Sequence, residues 1–202
     1  GSMHSRHHIG PELQIGHRLG NYFKEPVLLI KTAWGGKSLY KDFRPPSAGG
    51  ETGECYQKML FEVKEALDHY RDEFPALQNR MPKWGGFIWF QGWNDMFDQD
   101  ALAGYENNLV HLIKDLRVHF KQPNLPVVVG ELGNMGEDAG EKMKAIRMAQ
   151  RRACERKEWK GRVSFVKTTA FARPKDESPN VGHGHHWFGN AESYFLIGDA
   201  LG

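Results

Sequence analysis

Apolar residues recur along this chain at two different periods, and the alternation between them predicts a fold. Residues 52–70 repeat Tyr56, Met59, Leu60, Val63, Ala66, Leu67 and Tyr70 at intervals of three and four, the one-sided stripe of a helix. Residues 100–120 do so most clearly, with Leu102, Tyr105, Leu109, Leu112, Ile113, Leu116 and Phe120 on one face and Glu106, Lys114 and Arg117 largely away from it. Residues 138–157 carry Met143, Ile146, Ala149 and Ala153 in the same way. A first helix is expected to open at Gly10-Pro11, where Pro suits the first turn, and to run to about residue 23. A last one begins near Asn190 and continues through Tyr194, Ile197 and Leu201.

Between these stripes lie short apolar runs at 26–32 (PVLLIKT), 86–91 (GFIWFQ), 126–131 (PVVVGE) and 162–167. Runs that are apolar at nearly every position belong to strands covered on both faces. Strands alternating with helices predict four parallel strands in a three-layer α/β/α domain. The domain is expected over 10–202, with 1–9 read as a tag or disordered segment because Gly1-Ser2-Met3 looks like an expression remnant. The Pro/Gly-rich stretch 44–50 is the nearest thing to a flexible insert.

Composition narrows the function classes. The 202 residues are 40% hydrophobic and 26% charged, with 27 basic residues against 25 acidic, a balance that does not suit a nucleic-acid or membrane-surface binder. No apolar run approaches the ~20 residues that span a bilayer. Two cysteines, Cys55 and Cys154, allow at most one disulfide.

In open α/β sheets, ligands bind beyond the carboxyl ends of the strands. Those ends carry Trp34-Gly35-Gly36-Lys37-Ser38, Gln91-Gly92-Trp93-Asn94-Asp95, Glu131-Leu132-Gly133-Asn134 and, in the long loop before the last helix, His183-Gly184-His185-His186-Trp187. Paired glycines let a backbone N–H approach a ligand, a carboxamide such as Asn94 adds a second donor to the same oxyanion, and a histidine can act as general base. Given a nucleophile, the set would make an acyl-transfer site. Each piece also has an ordinary reading as turn, cap or packing residue.

The stretches AWGGKSL (33–39), WFQGWND (89–95) and HWFGNAESYFLIGDAL (186–201) resemble three blocks of the SGNH, or GDSL-type, hydrolases, nearest the sialate O-acetylesterase-like carbohydrate esterases. GPELQIGHRL (10–19) and GYENNLVHLIKDLR (104–117) resemble the same branch. The resemblance implies a flavodoxin-like three-layer domain and hydrolysis of an ester, commonly an acetyl group on a sugar. It assigns oxyanion donors to Gly36, with Gly35 as the neighbouring alternative, and to Asn94, and it makes His186 the base. An acylated carbohydrate is the implied partner, with no cofactor, and a periplasmic or secreted location.

Departures from the family pattern add expectations. The block that carries the nucleophilic Ser, together with the strand that presents it, has no counterpart here, so this chain is expected to be completed by a further segment of the same protein. Ser38 is the one nearby hydroxyl. The position three residues before His186, usually Asp, is His183, which leaves the triad acid open, with Glu131 a candidate. Trp93 stands where the branch often has Glu, and it could offer a stacking face for a sugar, with Trp34 beside it and Gln91 as a polar contact. His4, His7, His8, His183 and His185 invite a metal reading, but no zinc signature accompanies them and none is expected. The alternative function is an inactive carbohydrate-binding relative with Trp34, Trp93 and Trp187 as its platform.

Overall fold

The computed structural model describes residues 10–202, and the reading of 1–9 as a tag or disordered segment lies outside them. Helix α1 spans Glu12–Phe23, α2 Glu54–Glu73, α3 Gln99–His119, α4 Glu141–Cys154 and α5 Ala191–Leu201. Strands β1 (Phe87–Trp89), β2 (Val127–Gly130) and β3 (Val163–Val166) form one parallel sheet in the order β1-β2-β3. Phe87 lies opposite Val127, and Val127 opposite Val163.

Side chains alternate across this sheet and both faces are covered. Phe87, Trp89, Val127, Val129, Val163 and Phe165 join the larger core built on α2, α3 and α4. Ile88, Phe90, Val128 and Val166 pack against Ile15, Trp187, Ile197 and Leu201, so α1, α5 and the last loop cover the other face. This is the expected three-layer arrangement. Helix starts follow local chemistry: the Asp98 side chain accepts from Ala101 N at 2.9 Å to open α3, and Asn190 accepts from Ser193 N at 3.1 Å to open α5. The stripe predicted for α3 holds, with Tyr105, Leu109, Leu112 and Ile113 fully excluded from solvent. Each such burial is worth about 1.5–3 kcal/mol.

The expectation of four strands needs correction. Residues 26–32 form no strand, and Val27, Leu28 and Leu29 are 37%, 39% and 39% exposed. A strand exists only where a neighbour completes its ladder, and apolar composition supplies no such neighbour. The run lies instead along α1, with Lys31 Nζ donating to Glu12 Oε1 at 2.6 Å and a Leu29 methyl beside Gly16. Among the described residues, strand β1 pairs on one side only, through β2. The Pro/Gly-rich stretch is pinned to α3: Ser47 N donates to Asp115 at 2.9 Å and Ser47 Oγ bonds His111 Nδ1 at 2.7 Å. Cys55 and Cys154 are both buried and free.

Candidate active site

The Gly-Gly loop is held from two sides by carboxylates. On its outer side Asp42 accepts from Ser38 N at 2.8 Å, from Ser38 Oγ at 3.1 Å and from Lys37 Nζ at 3.0 Å. These bonds outweigh the cost of partial burial and hold the Asp42 carboxyl below its ordinary value of 3.8. A depressed folded pKa means that the clamp's contribution is present above the unfolded pKa and is lost as pH falls through the folded value. The stability difference between wild type and Asp42→Asn should therefore be largest near neutrality and vanish in acid. Denaturant titrations over a pH series check this, and a pH-independent difference would refute it. The Ser38 hydroxyl is thereby committed to the loop itself.

On the inner side Asp95, 0% exposed, accepts from Leu39 N and Tyr40 N, both at 2.9 Å, and from Gln91 Nε2 at 2.7 Å. Burial raises the Asp95 carboxyl above its usual value against the pull of Gln91 and the two amides. Gln91 Nε2 also donates to Lys37 O at 3.0 Å, and Gln91 Oε1 accepts from the Tyr105 hydroxyl at 3.2 Å. The Gln91 carboxamide is thus engaged within the protein at both ends. Trp89 Nε1 donates to that hydroxyl at 3.2 Å, while Gln150 Nε2 donates to Gln91 O at 2.9 Å and Gln150 Oε1 accepts from Leu132 N at 2.9 Å. One buried polar network therefore ties the ends of β1 and β2 to the Gly-Gly loop.

Two donors stand outside this network. Gly36 has φ +70°, a conformation that favours glycine, and a Cβ placed there would lie 3.9 Å from Asn94 Nδ2. Neither the Gly36 N–H nor the Asn94 carboxamide has a hydrogen-bond partner among the described residues. Gly35 beside them is exposed and open. Trp34 is half-buried, its ring 5.8 Å from Phe43 with Lys58 Nζ 4.9 Å above it.

The loop before α5 closes the group. Its Gly184 carbonyl accepts from Asn134 Nδ2 at 3.0 Å, which binds it to the end of β2. The His183, His185 and His186 rings cluster, with 4.3 Å between the last two, and His185 lies 5.7 Å from Trp93. Trp187 and Phe188, both buried, have φ +53°. Phe188 N and His186 N both donate back to His183 O, at 3.0 and 2.9 Å, so the turn presents the exposed His186 beside His185. Trp187 stacks on Phe90 in the core and is no part of a surface platform.

Loops bearing Gly36, Asn94, Trp93 and the histidines thus converge at one end of the sheet. Glu131 braces a turn, where its Oε2 accepts from Thr168 N, Thr169 N and Thr169 Oγ1 at 2.7–2.9 Å. Arg147, buried, donates to the carbonyls of Leu132, Asn134 and Gly136 at 2.8–3.0 Å and braces the β2 loop. Tyr105, Arg147 and Gln150 support the candidate site and are missed by pattern reading, while Asp95 stands in the motif WFQGWND with no role assigned to it. Gln150 could have been noticed as a polar residue beside the apolar stripe of α4. No group of three or more His, Cys, Asp or Glu among the described residues has metal-binding geometry. A hollow lined by Arg151, Cys154, Arg156, Trp159 and Phe165 is separate from these loops.

A family model described as carbohydrate esterase, sialic acid-specific acetylesterase, matches residues 2–192. A solved X-ray structure of a protein from Arabidopsis thaliana is similar at a TM-score of 0.69 and 19% identity, over 96% of this chain and 66% of that one. That likeness is one of fold. This chain spans 66% of the Arabidopsis chain's length. No curated protein sequence matches the chain.

Proposed function

Because the chain belongs to the carbohydrate esterase family of sialic acid-specific acetylesterases, we propose that it removes an O-acyl group, an acetyl group above all, from a carbohydrate by serine–histidine chemistry. The reading rests on one observation: Gly36 lies next to the Asn94 carboxamide, and neither the Gly36 N–H nor that carboxamide has a hydrogen-bond partner within the described residues. Two neighbouring donors without acceptors suit an oxyanion that forms only during reaction. His186, on the loop that reaches Trp93 through His185, is the base.

In this scheme His186 takes the proton of a serine hydroxyl as the serine oxygen bonds to the acyl carbon. The carbonyl oxygen becomes an oxyanion between Gly36 and Asn94. When the intermediate collapses, the ester C–O bond breaks and the proton passes from His186 to the departing sugar oxygen. Water then repeats the sequence on the acyl-serine and releases the carboxylic acid. Trp93 and Trp34 supply apolar faces for the sugar ring.

The serine belongs, in this proposal, to a strand outside these 202 residues. Such a strand would also account for the apolar run 26–32 and the outer edge of β1, neither of which has a ladder partner there among the described residues. The Ser38 hydroxyl, bonded to Asp42, is no substitute. Nor is Ser47, whose partner His111 is on α3. A carbohydrate-binding role without chemistry is less well supported, because Trp187 is in the core. A periplasmic or secreted location goes with the proposal, and no described helix is long and apolar enough to cross a membrane.

Hydrolysis of p-nitrophenyl acetate tests it. The protein carrying the serine strand should turn over this ester, and these 202 residues alone should do so feebly or not at all. Robust turnover by the 202 residues would place the nucleophile among them and overturn the assignment of the serine. Absence of turnover on any acetyl ester by the serine-bearing protein would overturn the esterase mechanism itself.

A further inference from the structure

We infer that Asp95 is a positioning residue, whose carboxylate sets the distance between the two oxyanion donors while touching neither substrate nor oxyanion. The inference rests on the esterase reading above and adds a residue to it. Asp95 follows Asn94 directly, so the backbone that carries its carboxylate also carries one donor. Its two oxygens hold the amides of Leu39 and Tyr40, three and four residues beyond Gly36. Its third bond, from Gln91 Nε2, adds a second strut, because the same nitrogen holds Lys37 O. Gly36 is therefore fixed relative to Asn94 by contacts that converge on one carboxylate.

The chemistry of that carboxylate is specific. Three N–H groups point at it, and a carboxylate accepts all three because it has no proton of its own to place. An Asn side chain of the same shape carries an NH2 where one oxygen stood. One donor must then face another donor, and either the 37–40 loop or Gln91 has to move away. A buried group so mismatched is expensive, whereas a solvent-exposed one would simply rotate. Displacing one hole donor by about an ångström weakens transition-state binding and leaves ground-state binding of the substrate nearly untouched.

The experiment compares Asp95→Asn with wild type in the serine-bearing protein. Expected is a fall in kcat on p-nitrophenyl acetate of about tenfold or more, with KM within about twofold. Amide hydrogen exchange supplies an arm that needs no turnover. In the wild type, Leu39 and Tyr40 should be strongly protected while Gly36 exchanges freely. In the variant, protection should be lost at 39 and 40 but kept in α3 and α4. A kcat within twofold of wild type overturns the inference, as does protection at 39 and 40 that survives the substitution. Loss of protection throughout α3 and α4 with kcat and KM both degraded overturns it too, since the role is then general stability. If Asp95→Asn does not fold, the wild-type pattern decides: unprotected Leu39 and Tyr40 amides remove the latch. Should the serine-bearing protein lack esterase activity altogether, the exchange arm still reads the latch, so the two failures remain distinct.

Discussion

Replacing His186 by Ala in the serine-bearing protein lowers kcat on an acetyl ester by about 10²–10⁴-fold, the usual contribution of a general acid–base. KM stays near its starting value, because an exposed imidazole at the rim of the site contributes little to holding the substrate. The fold should survive the change. The His186 side chain is exposed, and the loop contacts through its backbone remain: His186 N to His183 O at 2.9 Å, and the Tyr194 hydroxyl to His186 O at 3.2 Å. Steady-state kinetics with a melting curve in parallel separates the two effects. A variant within threefold of wild type would move the base to a neighbour. His185, 4.3 Å away ring to ring, is the first to test in that event.

The second large effect is on stability. A Cβ added at Gly133 would lie 2.3 Å from Thr168 Oγ1 and 2.6 Å from the Thr168 carbonyl carbon and the Thr169 nitrogen. Two of those neighbours are backbone, and they are fixed by Glu131, which holds the Thr168 and Thr169 amides. Rotating a side chain cannot relieve the overlap, so two loops must separate. Gly133→Ala is expected to cost about 3 kcal/mol, the upper part of the range for overpacking. For a protein of this size that is roughly 6–12 °C in Tm. Calorimetry or denaturant unfolding measures it, and a cost below about 0.5 kcal/mol would show that the approach of these loops is soft.

The helices were legible in the sequence because each makes its own hydrogen bonds and needs only a face to bury. The stripe Leu109, Leu112, Ile113, Leu116 announces α3 whatever surrounds it. Strands differ in kind. The run 26–32 is as apolar as β2, yet among the described residues β2 has a neighbour on each side and 26–32 has none, a fact that lies outside either segment. Candidate donors Gly36 and Asn94 could be picked out from the motifs AWGGKSL and WFQGWND, and the structure puts the two residues next to each other, although no strand precedes Gly36. The residues of the network behind them could be seen singly, but not their connection. Asp95, Tyr105, Gln91 and Gln150 are separated by up to 59 residues, and their spacing follows no periodicity. The triad acid is a similar case: Glu131 looks available in one dimension, but its oxygen Oε2 caps a turn in three.

The turn after His186 shows how side-chain volume can overrule backbone preference. An L-residue in left-handed geometry gives up roughly 1–2 kcal/mol, which glycine at 187 and 188 would recover. Removing a buried aromatic ring costs about 3–5 kcal/mol. Trp187 and Phe188 are both almost wholly buried, so the rings win at each position. A redesign that installs favoured turn-formers there would obtain a more comfortable backbone and lose the anchorage that aims the imidazole. Tolerance at these two positions should therefore follow bulk and aromaticity, the reverse of the ordinary ranking for a bend.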